Sequence, residues 1–350
     1  MLPPTAPPEF TARKTRSGAK DVAQLAGVST ATVSRAMNQP GSVDPDTRQR
    51  VLDAAAKLRY VPHGAARALR SHRSKMVGAL VPSFDYALYA RTTSALQQRL
   101  GERGYVVVLA EHHYDLAVET RLAGQLIEHG VDAFVLVGLD HEQALFSLLD
   151  DYGRPYVLTW GADPAQRHPC IGFDNQAATQ LVARHLIALG HRHIGLLSAH
   201  LTGNDRARAR GEGLRGTLAQ HGLTLDERHV AYAAISLPEA EAAATQLLSQ
   251  PQRPSAVVAT NDVFAVGTML ACRKLGIRIP EQLSVTGVDN TDLGATQTPP
   301  LTSVATPVTA IGHGAAEQLI ARLENQPHER VMQYPVELVV RGSTAPPPGH

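Results

Sequence analysis

The sequence predicts a small all-α helix-turn-helix headpiece at the N-terminus, followed by a two-lobed α/β domain built on doubly wound parallel sheets. Three observations predict this arrangement. Apolar residues near position 30 repeat at helical spacing on both sides of a glycine. From Met76 onward, short β-rich runs alternate with amphipathic helical stretches, a pattern typical of parallel sheets covered by helices. This alternation continues for about 270 residues, which is enough chain for two lobes.

The stretch from Asp21 to Asn38 predicts two short helices joined by a tight turn. Gly27 lies between the two apolar runs, where a sharp change of direction favours a residue that tolerates positive φ. Each run places two apolar residues on one helical face at a spacing of four. These pairs are Val22 with Ala26, and Val33 with Met37. The layout is that of a helix-turn-helix.

The second of these helices presents small and polar side chains that suit the grooves of DNA. Ser29 is placed to cap it, and arginine can bind guanine O6 and N7 while methyl groups pack on thymine. The candidate DNA-contacting residues of this segment are Ser29, Thr30, Ala31, Thr32, Ser34, Arg35 and Asn38. The alternative is an ordinary pair of amphipathic helices.

A third helix and the charge distribution favour a DNA-binding headpiece. Asp44 and Pro45 form an N-cap and first-turn pair, and Val51, Ala55 and Leu58 follow at helical spacing. Residues 1–75 hold thirteen Lys and Arg against five Asp and Glu, a net charge of +8, whereas the remaining residues carry −7. A basic surplus of this kind supplies the phosphate binding that DNA recognition requires.

The segment from Tyr60 to Arg70 predicts a hinge that becomes helical only when it docks. It is too short for a stable isolated helix, since helices below about 12 residues are marginal in water. Leu69 stands between Arg67 and Arg70, the composition of a wedge that enters the minor groove while cations meet phosphate. Arg67 and Leu69 are therefore further candidate DNA contacts.

Several of these motifs together resemble one known family. The matching residues are Asp21-Val22-Ala23, Ala26-Gly27-Val28-Ser29, Thr32-Val33-Ser34-Arg35, Asn38, Tyr60-Val61-Pro62 and Ala66-Arg67-Ala68-Leu69. On these residues the chain resembles transcriptional regulators of the LacI/GalR (lactose-repressor) family, and the resemblance continues to about residue 342. It implies that Thr30, Ala31 and Arg35 read the major groove. It also implies that Leu69 from each of two subunits enters the centre of a palindromic operator.

The chain departs from the family pattern at two places. Ser17-Gly18-Ala19-Lys20 stands where the family usually has a short apolar residue before the first helix. His63-Gly64 replaces the usual asparagine and long polar residue at the start of the hinge helix, so His63 is the candidate DNA contact at that position. In the body, the segment Ile171-Gly-Phe-Asp-Asn175 resembles the corresponding segment of gluconate-repressor-like members of the family.

Short apolar runs in the body predict buried parallel strands. They are Val77–Pro82, Tyr105–Ala110, Ala133–Val137, Tyr156–Trp160, Ile194–Ser198, Ala256–Thr260 and Ser284–Val288. Helical patterns fill the gaps, as at Ala177–Leu189 and Val263–Leu275. The resemblance implies a periplasmic-binding-protein-like pair of lobes joined by three crossovers. It further leads us to expect late strands near Leu301–Thr306 to return to the first lobe.

Polar residues that follow the predicted strands indicate a ligand site between the lobes. Ligands of such sheets bind outside the carboxyl ends of the strands, and carboxylates, amides and arginine can bind the hydroxyls of a sugar. The candidate effector-binding residues are Asp85, Tyr89, Asp174, Arg210, Asn261 and Asp289. Arg210, Asn261 and Asp289 match family positions that hold the effector. A helix cap or a solvated loop explains Asp85, Tyr89 and Asp174 equally well, and Asp262 is interpreted as a cap of the next helix.

Other motifs carry less weight. Gly211-Glu-Gly-Leu-Arg-Gly216 fits the dinucleotide-binding glycine pattern, yet it lies in a helical stretch, which favours helix packing. The sixteen histidines lack a partner set at metal-binding spacing. Cys170 and Cys272 are too few for a disulfide framework and fit a reducing compartment. No catalytic grouping stands out, so we expect neither an enzyme nor a cofactor or metal.

These observations predict five segments. They are a disordered tail at 1–18, the DNA-binding headpiece at 19–61, a hinge at 62–75, the effector-binding and dimerisation domain at 76–342, and a flexible tail at 343–350. The last of these, Thr344–His350, lacks a leucine heptad, which favours a homodimer over a tetramer.

The expected function is that of a DNA-binding regulator, most simply a repressor. Its partners would be a palindromic double-stranded operator and a small effector, namely a sugar, a sugar acid or a related metabolite. The N-terminal residues lack the apolar run of a signal peptide, so a cytoplasmic location is expected. A sugar-binding protein without DNA function and a sugar- or nucleotide-processing enzyme are the alternatives from other classes.

Overall fold

A computed structural model of the protein describes residues 17–38, 40–61, 73–163 and 165–348. The chain divides into two compact units between Ser74 and Lys75. Among the described helices, none is both long enough and apolar enough to cross a membrane.

The described part of the first unit is a three-helix bundle. Its helices are α1 (Ala19–Ala26), α2 (Thr30–Asn38) and α3 (Pro45–Lys57). Gly27 ends α1 in the left-handed region, with φ 66°, and so makes the turn that the sequence predicts. Val22, Val33 and Val51, one from each helix, are buried in the common core. Asp44 caps α3 by accepting from the amide of Thr47 at 2.9 Å.

The first lobe of the second unit contains a six-stranded parallel sheet. Its strands are β1 (Met76–Val81), β2 (Val106–Glu111), β3 (Ala133–Val137), β4 (Tyr156–Thr159), β5 (Cys170–Gly172) and β11 (Val331–Gln333). The spatial order is β11-β5-β4-β3-β1-β2. The helices of this lobe are α4 (Ala87–Gly101), α5 (Leu116–Glu128), α6 (Gln143–Asp151) and α12 (Val308–Leu323).

The second lobe repeats the architecture. Its strands are β6 (Ile194–Ala199), β7 (Val230–Ala233), β8 (Ala256–Ala259), β9 (Ser284–Asp289), β10 (Thr302–Ala305) and β12 (Glu337–Val339), in the order β12-β10-β9-β8-β6-β7. Only β12 runs antiparallel to its neighbour in this sheet. The helices are α7 (Asn175–Ala188), α8 (Asp205–Gln220), α9 (Leu237–Leu248), α10 (Asp262–Leu275) and the short α11 (Asp292–Ala295).

The chain crosses between the lobes three times, as expected: from β5 to α7, from β10 to α12, and from β11 to β12. One expectation is wrong. The strand within Leu301–Thr306 does not return to the first lobe, because Thr302–Ala305 pairs in parallel with β9 of the second lobe. The chain returns only after this strand, through α12 and β11.

The end of the body also differs from the flexible tail predicted over 343–350. Ser343 is fully buried, and its hydroxyl accepts from the amide of Thr302 at 2.8 Å and donates to the carbonyl of Val285 at 2.6 Å. Two residues later, the Ala345 carbonyl lies 2.9 Å from Nε2 of His191. These hydrogen bonds satisfy buried polar groups beside β9, and they hold residues 343–345 in the second lobe.

Candidate functional site

The exposed face of α2 is the first candidate site. Ser29 caps this helix, because its hydroxyl accepts from the amide of Thr32 at 3.1 Å. Thr30, Ala31 and Arg35 are exposed, Thr32 and Ser34 are half-buried, and Val33 faces the core. The helix therefore offers a row of small side chains and one guanidinium to a partner.

Several DNA-contact predictions cannot be placed in this way. His63, Arg67 and Leu69 lie outside the described residues, and Asn38 is described only as the last residue of α2. Much of the predicted basic surplus, including Arg13, Lys14 and Arg70, also belongs to segments outside the description.

The second candidate site is an inner chamber between the two lobes. The residues that line it follow the carboxyl ends of strands from both sheets, where parallel α/β sheets bind ligands. They are Tyr86, Tyr89, Tyr114, Trp160, Ala199, Asn204, Arg206, Ala207, Arg210, Ile235, Thr260 and Asn261. The chamber holds about 30 Å³, room for a water molecule or two.

A larger cavity opens beside the inner chamber. It measures about 730 Å³, within the range of small-molecule pockets. Asp85, Tyr114 and Asn204 line it, and the last two also line the inner chamber. With Ala199 and Ile235, the two cavities share four lining residues, so a ligand that approaches through the wide cavity meets the inner chamber there.

Arg210 is held in place by hydrogen bonds from one side of the chamber. Its Nε donates to Oδ1 of Asn175 at 2.9 Å, and its Nη1 donates to the carbonyl of Thr260. The side-chain Nδ2 of Asn175 in turn donates to the backbone carbonyl of Trp160 at 2.8 Å. This hydrogen bond links the second lobe to the first. Arg210 is thus a buried cation with a fixed direction, suited to an oxygen-rich ligand.

Asp289 is the buried carboxylate nearest to Arg210. Its Oδ1 lies 3.7 Å from Nη2 of Arg210 and accepts no hydrogen bond from the described residues, while its Oδ2 accepts from the hydroxyl of Tyr86. Burial raises the pKa of Asp289 to about 7, although Arg210 opposes the shift. Burial also raises the pKa of Tyr86 well above its usual value, so the phenol remains the donor.

Aromatic rings form the wall of the inner chamber on the side of the first lobe. Tyr89 makes edge-to-face contacts with Tyr86 at 5.2 Å and with Trp160 at 5.4 Å between ring centroids. Trp160 directly follows β4 and has φ 67°, and Asp289 is the last residue of β9 and has φ 114°. Positive φ is unfavourable for such residues and concentrates at binding sites, where the surrounding structure holds it in place.

The predicted effector residues fall into two groups. Tyr89, Arg210 and Asn261 line the inner chamber, and Asp289 lies directly behind Tyr86. Asp85 is exposed and lines only the larger cavity. Asp174 lines neither cavity. Its carboxylate caps α7 by accepting from the backbone amides of Gln176 and Ala177.

Asn261 and Asp262 have different surroundings although they are neighbours in sequence. Asn261 caps α10 by accepting from the amide of Phe264 at 2.9 Å, and it also lines the inner chamber. The carboxylate of Asp262 points away from the chamber and accepts from Thr291 and Ser303. Asp262 therefore stabilises the loop after β9.

Sequence reasoning missed Tyr86, Tyr114, Trp160 and Arg206. One signal was available for Arg206, since it precedes Arg210 by four residues and so shares its helical face. Trp160 stands at the end of a predicted strand, which is the position that lines a cleft. Nothing in the sequence marks Tyr86, because its contact with Asp289 spans 203 positions.

Two family models match the chain. Residues 19–63 match the model described as bacterial regulatory proteins, lacI family, and residues 183–344 match the periplasmic binding protein-like domain. A curated relative, the HTH-type transcriptional repressor PurR of Vibrio atlanticus, is 31% identical over 329 residues. The alignment covers 93% of this chain and 97% of the relative.

Solved structures show the same architecture. The Lac repressor dimer bound to operator and the anti-inducer ONPF superposes with a TM-score of 0.84 at 26% identity, covering 95% of this chain and all of that one. The transcriptional regulator CelR in complex with cellobiose superposes with a TM-score of 0.70 at 30% identity, covering 94% of this chain and all of that one.

Proposed function

The chain belongs to the lacI family of bacterial regulatory proteins, and we propose that it acts as a homodimeric repressor whose operator affinity depends on a small effector between its lobes. Family membership makes it a DNA-binding transcriptional regulator and not an enzyme. The match over residues 19–63 also sets aside a sugar-binding protein without DNA function. A cytoplasmic location, where the operator DNA lies, is part of the proposal.

The exposed face of α2 is the observation that carries the DNA-binding role. Thr30, Ala31 and Arg35 project from a helix that Ser29 caps and Val33 anchors in the core, so their geometry is fixed before DNA arrives. These three residues would contact base edges in the major groove. Arg67 and Leu69 would act in the minor groove, a role that rests on the sequence alone.

Two headpieces per operator are proposed because one headpiece buries too little surface for specific binding. The body offers an apolar edge for pairing. Val106 is 58% exposed and Leu109 is 44% exposed on β2, an outer strand of its sheet. Exposed apolar residues on a sheet edge favour association with another protein surface. A symmetric dimer would then require a palindromic operator.

The inner chamber supports the effector role. Its buried arginines and amides suit the hydroxyls of a sugar or sugar acid, and the CelR relative in this fold holds cellobiose. A chamber of about 30 Å³ must widen to admit such a ligand. Because Tyr86 and Arg210 belong to different lobes, widening moves the lobes apart. Effector binding thereby changes the population of lobe arrangements, and with it the operator affinity.

Selection of genomic fragments by the purified protein tests the proposed DNA-binding role. The experiment is run at near-physiological salt, which suppresses binding to phosphate alone. We expect enrichment of a short palindrome with a CG centre. The variant Arg35→Ala should lose this enrichment, while Arg253→Ala, which changes an exposed arginine of the body, should retain it. Equal enrichment by both variants would contradict the assignment of α2.

A further inference from the structure

The inner chamber is more cationic than a neutral ligand requires. Among the described residues that line it are two guanidinium groups, Arg206 and Arg210, and no carboxylate. The exposed fractions of these two arginines are only 5% and 6%. Arginine stays protonated in proteins, so both groups carry their charge inside the cleft.

The nearby carboxylates balance only part of this charge. Asp205 accepts from Nη1 of Arg206 at 2.6 Å and neutralises that side of the guanidinium. Asp289 lies 3.7 Å from Arg210, too far for a hydrogen bond, and accepts instead from Tyr86. Burial raises the pKa of Asp289 to about 7, so near neutral pH this carboxyl is a weaker counter-charge than an ordinary aspartate.

Among the residues that the structure describes, none accepts a hydrogen bond from Nη2 of Arg206. Nη1 donates to Asp205 and to the carbonyl of Val137 in the first lobe at 3.3 Å, whereas Nη2 is buried. Leaving a buried charged donor unsatisfied is costly, and such groups in native proteins require an explanation. A ligand oxygen in the inner chamber would satisfy it.

We propose that the effector is a sugar acid whose carboxylate accepts a hydrogen bond from Nη2 of Arg206. This inference rests on the proposed effector site and names its ligand class. Arg206 and Arg210 stand four residues apart on α8 and share one face, so one carboxylate has both cations beside it. The hydroxyls of the ligand face Asn261, and its carbon skeleton packs on Tyr89 and Trp160.

A neutral sugar satisfies this site less well. Its hydroxyl can accept from Nη2 of Arg206, but it brings no negative charge to the two buried guanidinium groups. Hydrogen bonds between ionised partners are roughly twice as strong as neutral ones. We therefore expect an acid to bind at least about tenfold more tightly than its neutral counterpart.

Fluorescence of Trp160 provides a direct test. It is the single tryptophan of the chain and lies in the wall of the inner chamber, so its emission reports on binding there. The full-length protein is titrated with matched pairs that differ by one acidic group: gluconate with glucitol, glucuronate with glucose, and galacturonate with galactose. We expect at least one acid to bind, with a Kd about tenfold or more below that of its neutral partner.

Variants of Arg206 then assign the preference to its charge. Arg206→Gln should bring the acid-to-neutral ratio of Kd values close to one, while Arg206→Lys should keep a preference for the acid. Arg215→Gln, at a half-buried position of the same helix that pairs with Glu227 and does not line the chamber, should keep the acid preference of the wild type. Melting curves show whether each variant is folded. If Arg206→Gln does not fold, Arg206→Lys provides the test, because it retains a positive charge at this position.

Three results would overturn the inference: equal or tighter binding of the neutral partner, an acid preference that survives in Arg206→Gln, or no binding of any acid. The experiments distinguish failure of the sugar-acid inference from failure of the proposed regulator function. A neutral sugar that binds and shifts operator affinity leaves the regulator intact and removes only the acid assignment. Loss of palindrome enrichment in the genomic selection would instead contradict the DNA-binding role.

Discussion

The hydroxyl of Tyr86 donates a hydrogen bond to Oδ2 of Asp289, and this bond joins the two lobes of the body. Tyr86 immediately precedes α4 in the first lobe, and Asp289 ends β9 in the second. Both side chains are buried. Because this bond ties one lobe to the other beside the inner chamber, it favours the narrow chamber.

Removal of the Tyr86 hydroxyl should weaken the fold. Tyr86→Phe removes the hydrogen bond that Oδ2 of Asp289 accepts and leaves this buried oxygen without its donor. We expect the free energy of unfolding to fall by about 1–3 kcal/mol in urea denaturation. Tyr152→Phe, at a residue that is 60% exposed, is the matched control and should change stability little. Equal stability of the two variants would contradict the role given to this bond.

The contribution of Asp289 to the free energy of unfolding should decrease as pH rises from about 4 to 7. The unfolded pKa of an aspartate is about 3.9, whereas burial raises the pKa of Asp289 in the folded protein to about 7. Between these values the folded state binds more protons than the unfolded state, so the contribution of Asp289 is most favourable at low pH and is lost as pH rises through 7. The slope approaches about 1.4 kcal/mol per pH unit.

Asp289→Asn isolates this contribution because asparagine has the same shape and does not titrate. The free energy of unfolding of the wild type minus that of the variant, measured from pH 5 to 8, should fall as pH rises to about 7. Parallel curves would show that Asp289 does not titrate in this range.

Arg210→Ala should abolish the response to the effector and leave operator binding intact. Arg210 is buried in the body, where it donates to Asn175 and Thr260, and it is not part of the α2 surface. We expect operator affinity without ligand to stay within about threefold of wild type, while added effector no longer shifts it. Arg215→Ala, at a half-buried residue of the same helix that does not line the inner chamber, should respond normally. A normal response in Arg210→Ala would remove this residue from the site.

Leu69→Ala should reduce operator affinity and spare effector affinity. The prediction rests on the sequence, in which a single large apolar residue stands between Arg67 and Arg70. A wedge unstacks a base step, and its apolar contacts with the bases offset the free energy that unstacking requires. Because alanine lacks these contacts, we expect about a tenfold or greater rise in operator Kd. Unchanged operator affinity in a binding titration would show that Leu69 is not a wedge.

Local signals explain why much of the fold was predictable. The Gly27 turn and the caps at Ser29 and Asp44 depend on neighbouring residues alone, and each appears as predicted. Ala133–Val137 matches its predicted strand at both ends, because a fully buried strand reads as an unbroken apolar run. Short edge strands were missed, among them Val230–Ala233, since partial exposure breaks such a run.

Features that depend on distant pairing were harder to predict. The sequence of the strand near Leu301 does not indicate which sheet it joins. We expected it in the first lobe, whereas it pairs with β9 of the second. The chamber shows the same limit. Arg210 was found through the family resemblance, whereas Tyr86 enters the site only because the fold brings it to Asp289.

The glycines of α8 provide a last prediction, which separates helix packing from a dinucleotide-binding loop. A Cβ at Gly213 would lie 2.4 Å from the carbonyl oxygen of Gln176 and 2.5 Å from the hydroxyl of Thr179, so α7 leaves no space for one. Gly216, in the same helix, has no neighbouring atom within 4 Å of that position. Gly213→Ala should therefore lower the free energy of unfolding by about 1–3 kcal/mol. Gly216→Ala should raise it by about 0.5–1 kcal/mol, because alanine favours a helix interior.

Both effects belong to the fold and require no nucleotide, so urea denaturation of the two variants measures them directly. If the glycines instead formed a phosphate-binding loop, they would open a helix directly after a strand. Gly211 and Gly216 lie inside α8, which runs from Asp205 to Gln220, and backbone amides in a helix interior are already bonded. Equal loss of stability in both variants would contradict the packing explanation, because only Gly213 touches the neighbouring helix.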